Sequence, residues 1–140
     1  MALNKRCGIT MKEKLIQLNN TISEKFEAVE GPNWNQKFYV SFKEGNHIWI
    51  DINTQKKLLY LNILIKKGDI DVIKVSKDLG IKIFDRDSSL SEKLQLESSV
   101  KITNKGEYDK IIIRIKKEFN VTSDEFIKLL TDCFNSFKKV

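Results

Sequence analysis

The stretch Lys37–Ile65, KFYVSFKEGNHIWIDINTQKKLLYLNILI, decides the fold. Its first run sets Phe38, Val40 and Phe42 against Tyr39 and Ser41. The second sets Ile48, Ile50 and Ile52 against His47, Trp49 and Asp51. In the third, Leu59, Leu61, Ile63 and Ile65 alternate with Leu58, Tyr60, Asn62 and Leu64. A period of two is the signature of a half-buried strand, because successive side chains point to opposite faces. Glu44-Gly45-Asn46 and Thr54–Lys56 are short, polar and suited to tight turns. Three such runs joined by such turns predict an antiparallel meander.

Working outward, Leu15, Leu18, Ile22, Phe26 and Val29 recur at helical spacing, predicting a helix over Met11–Val29 that Gly31-Pro32 closes. On the other side, Ile70–Leu79 reads as a weak helix closed by Gly80. Residues 85–99 are polar and Ser-rich, and are expected to form a long loop or lid with a short helical piece at Leu90–Leu96. Val100–Thr103 supplies a fourth short strand. Asn104 and Glu107 fit a capping pair, and Tyr108, Ile111, Ile112, Ile115 and Phe119 then fall on one helical stripe. The β-branched run Ile111-Ile112-Ile113 also fits a strand, but helix is the expectation. Thr122–Glu125 is a capping box ahead of Phe126, Leu129, Leu130, Cys133 and Phe137. The expected architecture is an α+β domain over residues 11–140. It has a small, mainly antiparallel sheet (a three-stranded meander plus a fourth short strand) with helices on one face, in the order α-β-β-β-α-β-α-α. Residues 1–10 are expected to be a flexible leader.

Composition narrows the function classes. A chain of 140 residues that is 41% hydrophobic has enough material for one core. No run approaches the roughly 18 apolar residues a membrane span needs, and no apolar segment follows Lys5 and Arg6, so a cytoplasmic protein with no membrane partner is expected. Cys7 and Cys133 stand alone and His47 is the single histidine, too few ligands for a structural zinc site. The net charge of +6 permits binding to polyanions. All the cations but Arg6, Arg86 and Arg114 are lysines, however, and bidentate phosphate recognition favours arginine.

No nucleophile elbow, phosphate-binding loop, dinucleotide fingerprint or zinc-protease motif is present, and neither ExK nor DxK occurs. Asp69/Asp71 and Asp85/Asp87 read as caps and solvated turns, and His47 as a hairpin residue. Hence no catalytic residue, metal ligand or cofactor is assigned. The stronger feature is the second face of the meander, where Tyr39, Ser41, His47, Trp49, Asp51, Tyr60 and Asn62 are expected together. Tyr39, His47, Trp49 and Tyr60, with Lys37, Lys43, Lys56 and Lys57 at the edges, form the candidate binding set. Aromatics ringed by cations hold single strands of DNA or RNA by base stacking and phosphate attraction. The same rings equally suit ordinary cross-strand pairs or a protein partner. Lys110, Arg114, Lys116 and Lys117, on the outer face of the expected helix, are a second candidate for phosphate contact.

The runs VSFKEGNHIWIDINTQKKLLYLNI (40–63), DIDVIKVSKDLG (69–80) and VKITNKGEYDKIIIRIKKEFN (100–120) resemble the domain of unknown function numbered 5655. Gln55, Lys56, Lys57, Leu59, Tyr60, Leu61 and Asn62 match its central motif, and Glu107, Tyr108, Asp109 and Ile115 its last segment. The resemblance covers roughly residues 18–119, and residues 81–99 lack the Gly-His-Trp-Gly-rich stretch usual there. Some members of that family are labelled predicted transport proteins, and others are appended to restriction-like nucleases, which implies an accessory role near DNA and a parent nuclease chain as partner. The expectation is a non-catalytic accessory module of a nucleic-acid-processing or defence system. A protein-interaction domain is the alternative, and an enzyme with an unfamiliar site near His47 and Asp51 the third reading.

Overall fold

The computed structural model describes residues 11–36, 38–54, 57–83 and 97–140. Helix α1 (Met11–Lys25) leads into four strands: β1 (Glu30–Gln36), β2 (Tyr39–Glu44), β3 (His47–Asn53) and β4 (Leu59–Lys66). Helix α2 (Val72–Leu79), strands β5 (Lys82–Ile83), β6 (Ser99–Lys105) and β7 (Tyr108–Ile115), and helix α3 (Asp124–Lys138) complete the order. The fold is α+β. Among the described residues one seven-stranded sheet runs β1-β2-β3-β4-β7-β6-β5, antiparallel throughout except for the β5–β6 pair.

Three elements correct the expected four-stranded architecture and its order. Residues 30–36 continue as edge strand β1 beyond Gly31-Pro32. Lys82–Ile83 adds a two-residue edge strand. Most consequentially, Tyr108–Ile115 is a strand, not a helix, and it pairs with β4 from Leu59↔Ile115 to Lys66↔Tyr108. Both periods fit this segment: Ile111, Ile112 and Ile115 make a helical stripe, while Ile111, Ile113 and Ile115 make a strand face. The strand wins because it buries all three of those isoleucines against the core and gives β4 a partner along its whole length. Gly106, at φ +66°, makes the β6–β7 hairpin turn where a helix cap was expected. The helical piece expected at Leu90–Leu96 lies outside the described residues, as does the leader at 1–10.

The three helices pack on one face of the sheet. Register explains that face. Val40, Ile52, Leu61, Ile113 and Val100 lie opposite one another across β2, β3, β4, β7 and β6, and all are fully buried. Phe42, Ile50, Ile63 and Ile111 form the next such row. Leu15, Leu18 and Ile22 of α1, Val75 of α2, and Phe126, Leu130, Cys133 and Phe137 of α3 close over them. Asp71 caps α2 by accepting from Ile73 N–H at 3.0 Å, and Ser123 caps α3 by accepting from Phe126 N–H at 3.2 Å. Buried Lys14 ties α1 to the β7–α3 connection, its Nζ donating to the Phe119 carbonyl at 2.6 Å.

One irregularity moves a candidate site residue. On β2 Phe42 and Lys43 are consecutive, yet they face Ile50 and Ile48 on β3, leaving Trp49 as the extra residue of a β-bulge. The bulge turns Trp49 into the core, fully buried, where it meets Phe26 (ring centroids 5.2 Å apart) and Phe134 (5.0 Å) edge-on. Strict alternation, which put Trp49 beside Asp51, breaks at that residue and is offset before it. Ile48, expected in the core, is exposed instead.

Candidate functional site

One position along the strands from each core row, the same register builds the opposite face. Tyr39, Asn53, Tyr60, Arg114 and Ser99 form one transverse row. Ser41, Asp51, Asn62, Ile112 and Lys101 form the next. With Lys110, these residues, Ser41 apart, line a groove of about 310 Å³, at the small end of the range for ligand sites. Its side chains come from five strands of one sheet, so the backbone ladder rather than a loop sets their spacing. Tyr39 and Tyr60 lie two strands apart, about 10 Å, with Asn53 between them.

The groove is partly wired. Asn53 Nδ2 donates to Tyr39 Oη at 3.3 Å, which orients the ring. Asn62 Nδ2 donates to the Asp51 and Tyr60 carbonyls at 3.2 and 3.3 Å. Arg114, only 4% exposed, donates from Nε to Ser99 Oγ at 2.7 Å, an unusual depth for a guanidinium. Asp51 is the exception: its Oδ1 is buried and meets no hydrogen-bond donor. Burial pushes the Asp51 carboxyl above its ordinary range, against the pull of Lys110 and Lys105. The site therefore combines two aromatic faces, cations at Lys101, Lys110 and Arg114, and one acceptor without a donor.

A larger concavity, about 830 Å³, runs between α2 and α3. Six of its charges are already paired with one another: Lys74 with Asp78 (2.7 Å), Lys128 with Asp132 (2.9 Å) and Lys139 with Asp69 (3.3 Å). It offers volume without unmet polar demand, so the smaller groove is the better site.

Of the residues expected to bind, Tyr39 and Tyr60 stand in the groove. Trp49 does not, as the bulge requires. His47 sits at the far end of β3 against the Tyr108 and Phe137 rings, at 5.8 and 6.0 Å. It is four residues from Asp51, about 13 Å at the rise of a strand, so these two groups do not form a joint site. Lys43 faces Ile48 across the ladder and Lys57 is exposed ahead of β4, neither lining the groove. Lys37, Lys56 and Asp85/Asp87 lie outside the described residues. Lys110 and Arg114, expected on a helix, arrive in the groove from β7 instead, while Lys116 is held by Glu97 at 2.8 Å. Lys101, Asn53 and Ser99 were not singled out. The signal that places Lys110 and Arg114 here is their alternation with Ile111, Ile113 and Ile115 after a Gly-centred turn.

Among the described residues no cluster of His, Cys, Asp and Glu is arranged to hold a metal, and no helix is long and apolar enough to cross a membrane. Asp71 serves as a helix cap and Asp69 as the partner of Lys139. Cys133 is fully buried, and desolvation pushes its thiol pKa far up, the profile of an inert core residue. No protein-family model matches the chain, and the searches of curated proteins and of solved structures return no match.

Proposed function

We propose that this protein is a non-catalytic, cytoplasmic module that contacts nucleic acid through the groove on the sheet face away from α1, α2 and α3. In this reading it acts as an accessory to a nucleic-acid-processing or restriction-like defence system. The observation that carries the reading is the convergence of Tyr39, Tyr60, Lys101, Lys110 and Arg114 in a single groove. Aromatic faces on a sheet accept unstacked bases, and nearby cations neutralise phosphate, a combination that favours single strands over duplex. The accessory context comes from the resemblance to the domain of unknown function 5655.

Fluorescence anisotropy with labelled single- and double-stranded DNA and RNA tests it. Binding at low salt is expected to weaken as log[salt] rises with a slope near −2, since about three cations each contribute roughly −0.7 on a single strand. Tyr60→Ala is expected to cost about tenfold in affinity with the fold intact. No binding at low salt overturns the reading.

A protein partner is the second reading. It is favoured by Trp34 on edge strand β1, which is 58% exposed, and by exposed Phe38 and Ile48. Salt-insensitive association that Trp34→Ala abolishes and Tyr60→Ala leaves alone would select it.

A further inference from the structure

Asp51 is the group in the groove whose demand the fold leaves unmet. Its Oδ1 is buried without a donor, although it sits on interior strand β3 beside two asparagines, whose side-chain amides donate to Tyr39 Oη and to backbone carbonyls. A buried acceptor without a partner is costly, and a ligand that supplies donors recovers that cost. A free cation is a poor candidate, because Lys101, Lys110 and Arg114 line the same groove and repel it. The ligand must therefore bring neutral N–H donors to Asp51 while carrying its negative charge elsewhere, toward the lysines and the arginine. It must also be planar enough to lie against Tyr39 or Tyr60.

A nucleotide with a donor-rich base edge meets all three conditions, and the bases differ sharply in that edge. Guanine presents two adjacent donors, N1–H and the N2 amino group, which match the two oxygens of a carboxylate. Adenine and cytosine each set an amino donor beside an acceptor that a carboxylate repels. Uracil flanks its one N–H with two carbonyl oxygens. We propose that the groove is a guanine-selective site in which Asp51 accepts the base's N1–H and N2 amino protons, Tyr39 and Tyr60 flank its ring, and Lys101, Lys110 and Arg114 face the phosphates. This assignment rests on the nucleic-acid reading above and narrows it to one base. The upward push that burial gives the Asp51 carboxyl agrees with an acceptor awaiting a partner.

The test is a series of labelled RNA pentamers, UUGUU, UUAUU, UUCUU, UUUUU and UUIUU (I is inosine, guanine without its N2 amino group), titrated with the intact chain at low salt. UUGUU is expected to bind at least tenfold tighter than the A, C and U pentamers, as a bidentate base contact provides. Inosine should forfeit most of that advantage. Asp51→Asn, whose melting curve verifies its fold, should level the series without weakening UUUUU. Equal binding of all five, still steeply salt-dependent, overturns the guanine assignment and leaves the nucleic-acid reading standing. Preference for UUGUU that survives both inosine and Asp51→Asn also overturns the assignment. No binding by any pentamer overturns both.

Discussion

The two faces of the sheet are built from the same strands in the same register and differ by a single residue of offset. On the helix side, Val40, Ile52, Leu61, Ile113 and Val100 form an unbroken aliphatic row. One step along, Ser41, Asp51, Asn62, Ile112 and Lys101 form a mostly polar row. The first row is covered by α1, α2 and α3 and supplies the apolar burial that drives folding, at about 25 cal/mol per Å². The second row holds an unsatisfied carboxylate, and the row beside it on the same face a tightly wired arginine, neither of which folding alone rewards. Under the proposed function stability and recognition divide between the faces, and substitutions should divide the same way.

Trp49→Ala gives the sharpest break, since the bulge makes this residue core rather than surface. Loss of a fully buried indole among Phe26, Phe134 and Phe137 is expected to cost about 3–5 kcal/mol in chemical denaturation. Oligonucleotide affinity per folded molecule should stay unchanged. A small stability loss with a large affinity loss would return Trp49 to the binding face.

Gly31→Ala probes the same side at its edge. A Cβ there would lie 2.6 Å from Phe42 Cδ2 and 2.8 Å from the Ser41 carbonyl, with φ at +152°. A cost of about 2–3 kcal/mol is expected, measured by urea titration. Tyr60→Ala moves to the polar face and should reverse the pattern. Stability is expected to fall by less than about 1 kcal/mol, while single-strand affinity falls by about 1–3 kcal/mol. Equal losses in both measurements would mean that the faces are not independent.

Asp51→Asn carries the smallest effect and the opposite sign. The folded state holds this carboxyl's pKa above its unfolded value, so folding takes up protons and stability declines as pH rises through the folded pKa. Removing the charge should raise stability at pH 7 by roughly 1 kcal/mol, about 3 °C in melting temperature. The gain should fade below the ordinary carboxylate pKa of about 4, where Asp51 is protonated in both states. A destabilised variant at pH 7 would show that the carboxylate has a structural partner.

Much of this architecture is written locally. The stripe of Leu15, Leu18 and Ile22, the alternation through Lys37–Ile65 and the Thr122–Glu125 cap each specify an element by spacing alone. They place Tyr39, Tyr60, Asp51 and Asn62 on a common face without reference to distant residues. Residues 108–115 are different, because their isoleucines satisfy both the helical and the strand period. Only the empty ladder along β4, more than forty residues upstream, makes the strand the better solution. With that pairing Lys110 and Arg114 enter the groove, and without it they would have lain on a solvated helix. Trp49 follows the same logic: its neighbours call for alternation, but Phe26 just after α1 and Phe134 of α3 offer an aromatic pocket that a bulge can reach. Local periodicity therefore determined the meander and two of the rings that line the groove. Long-range pairing and the core's demand for apolar volume decided which cations join them and which aromatic leaves, since both depend on partners that no window of neighbouring residues contains.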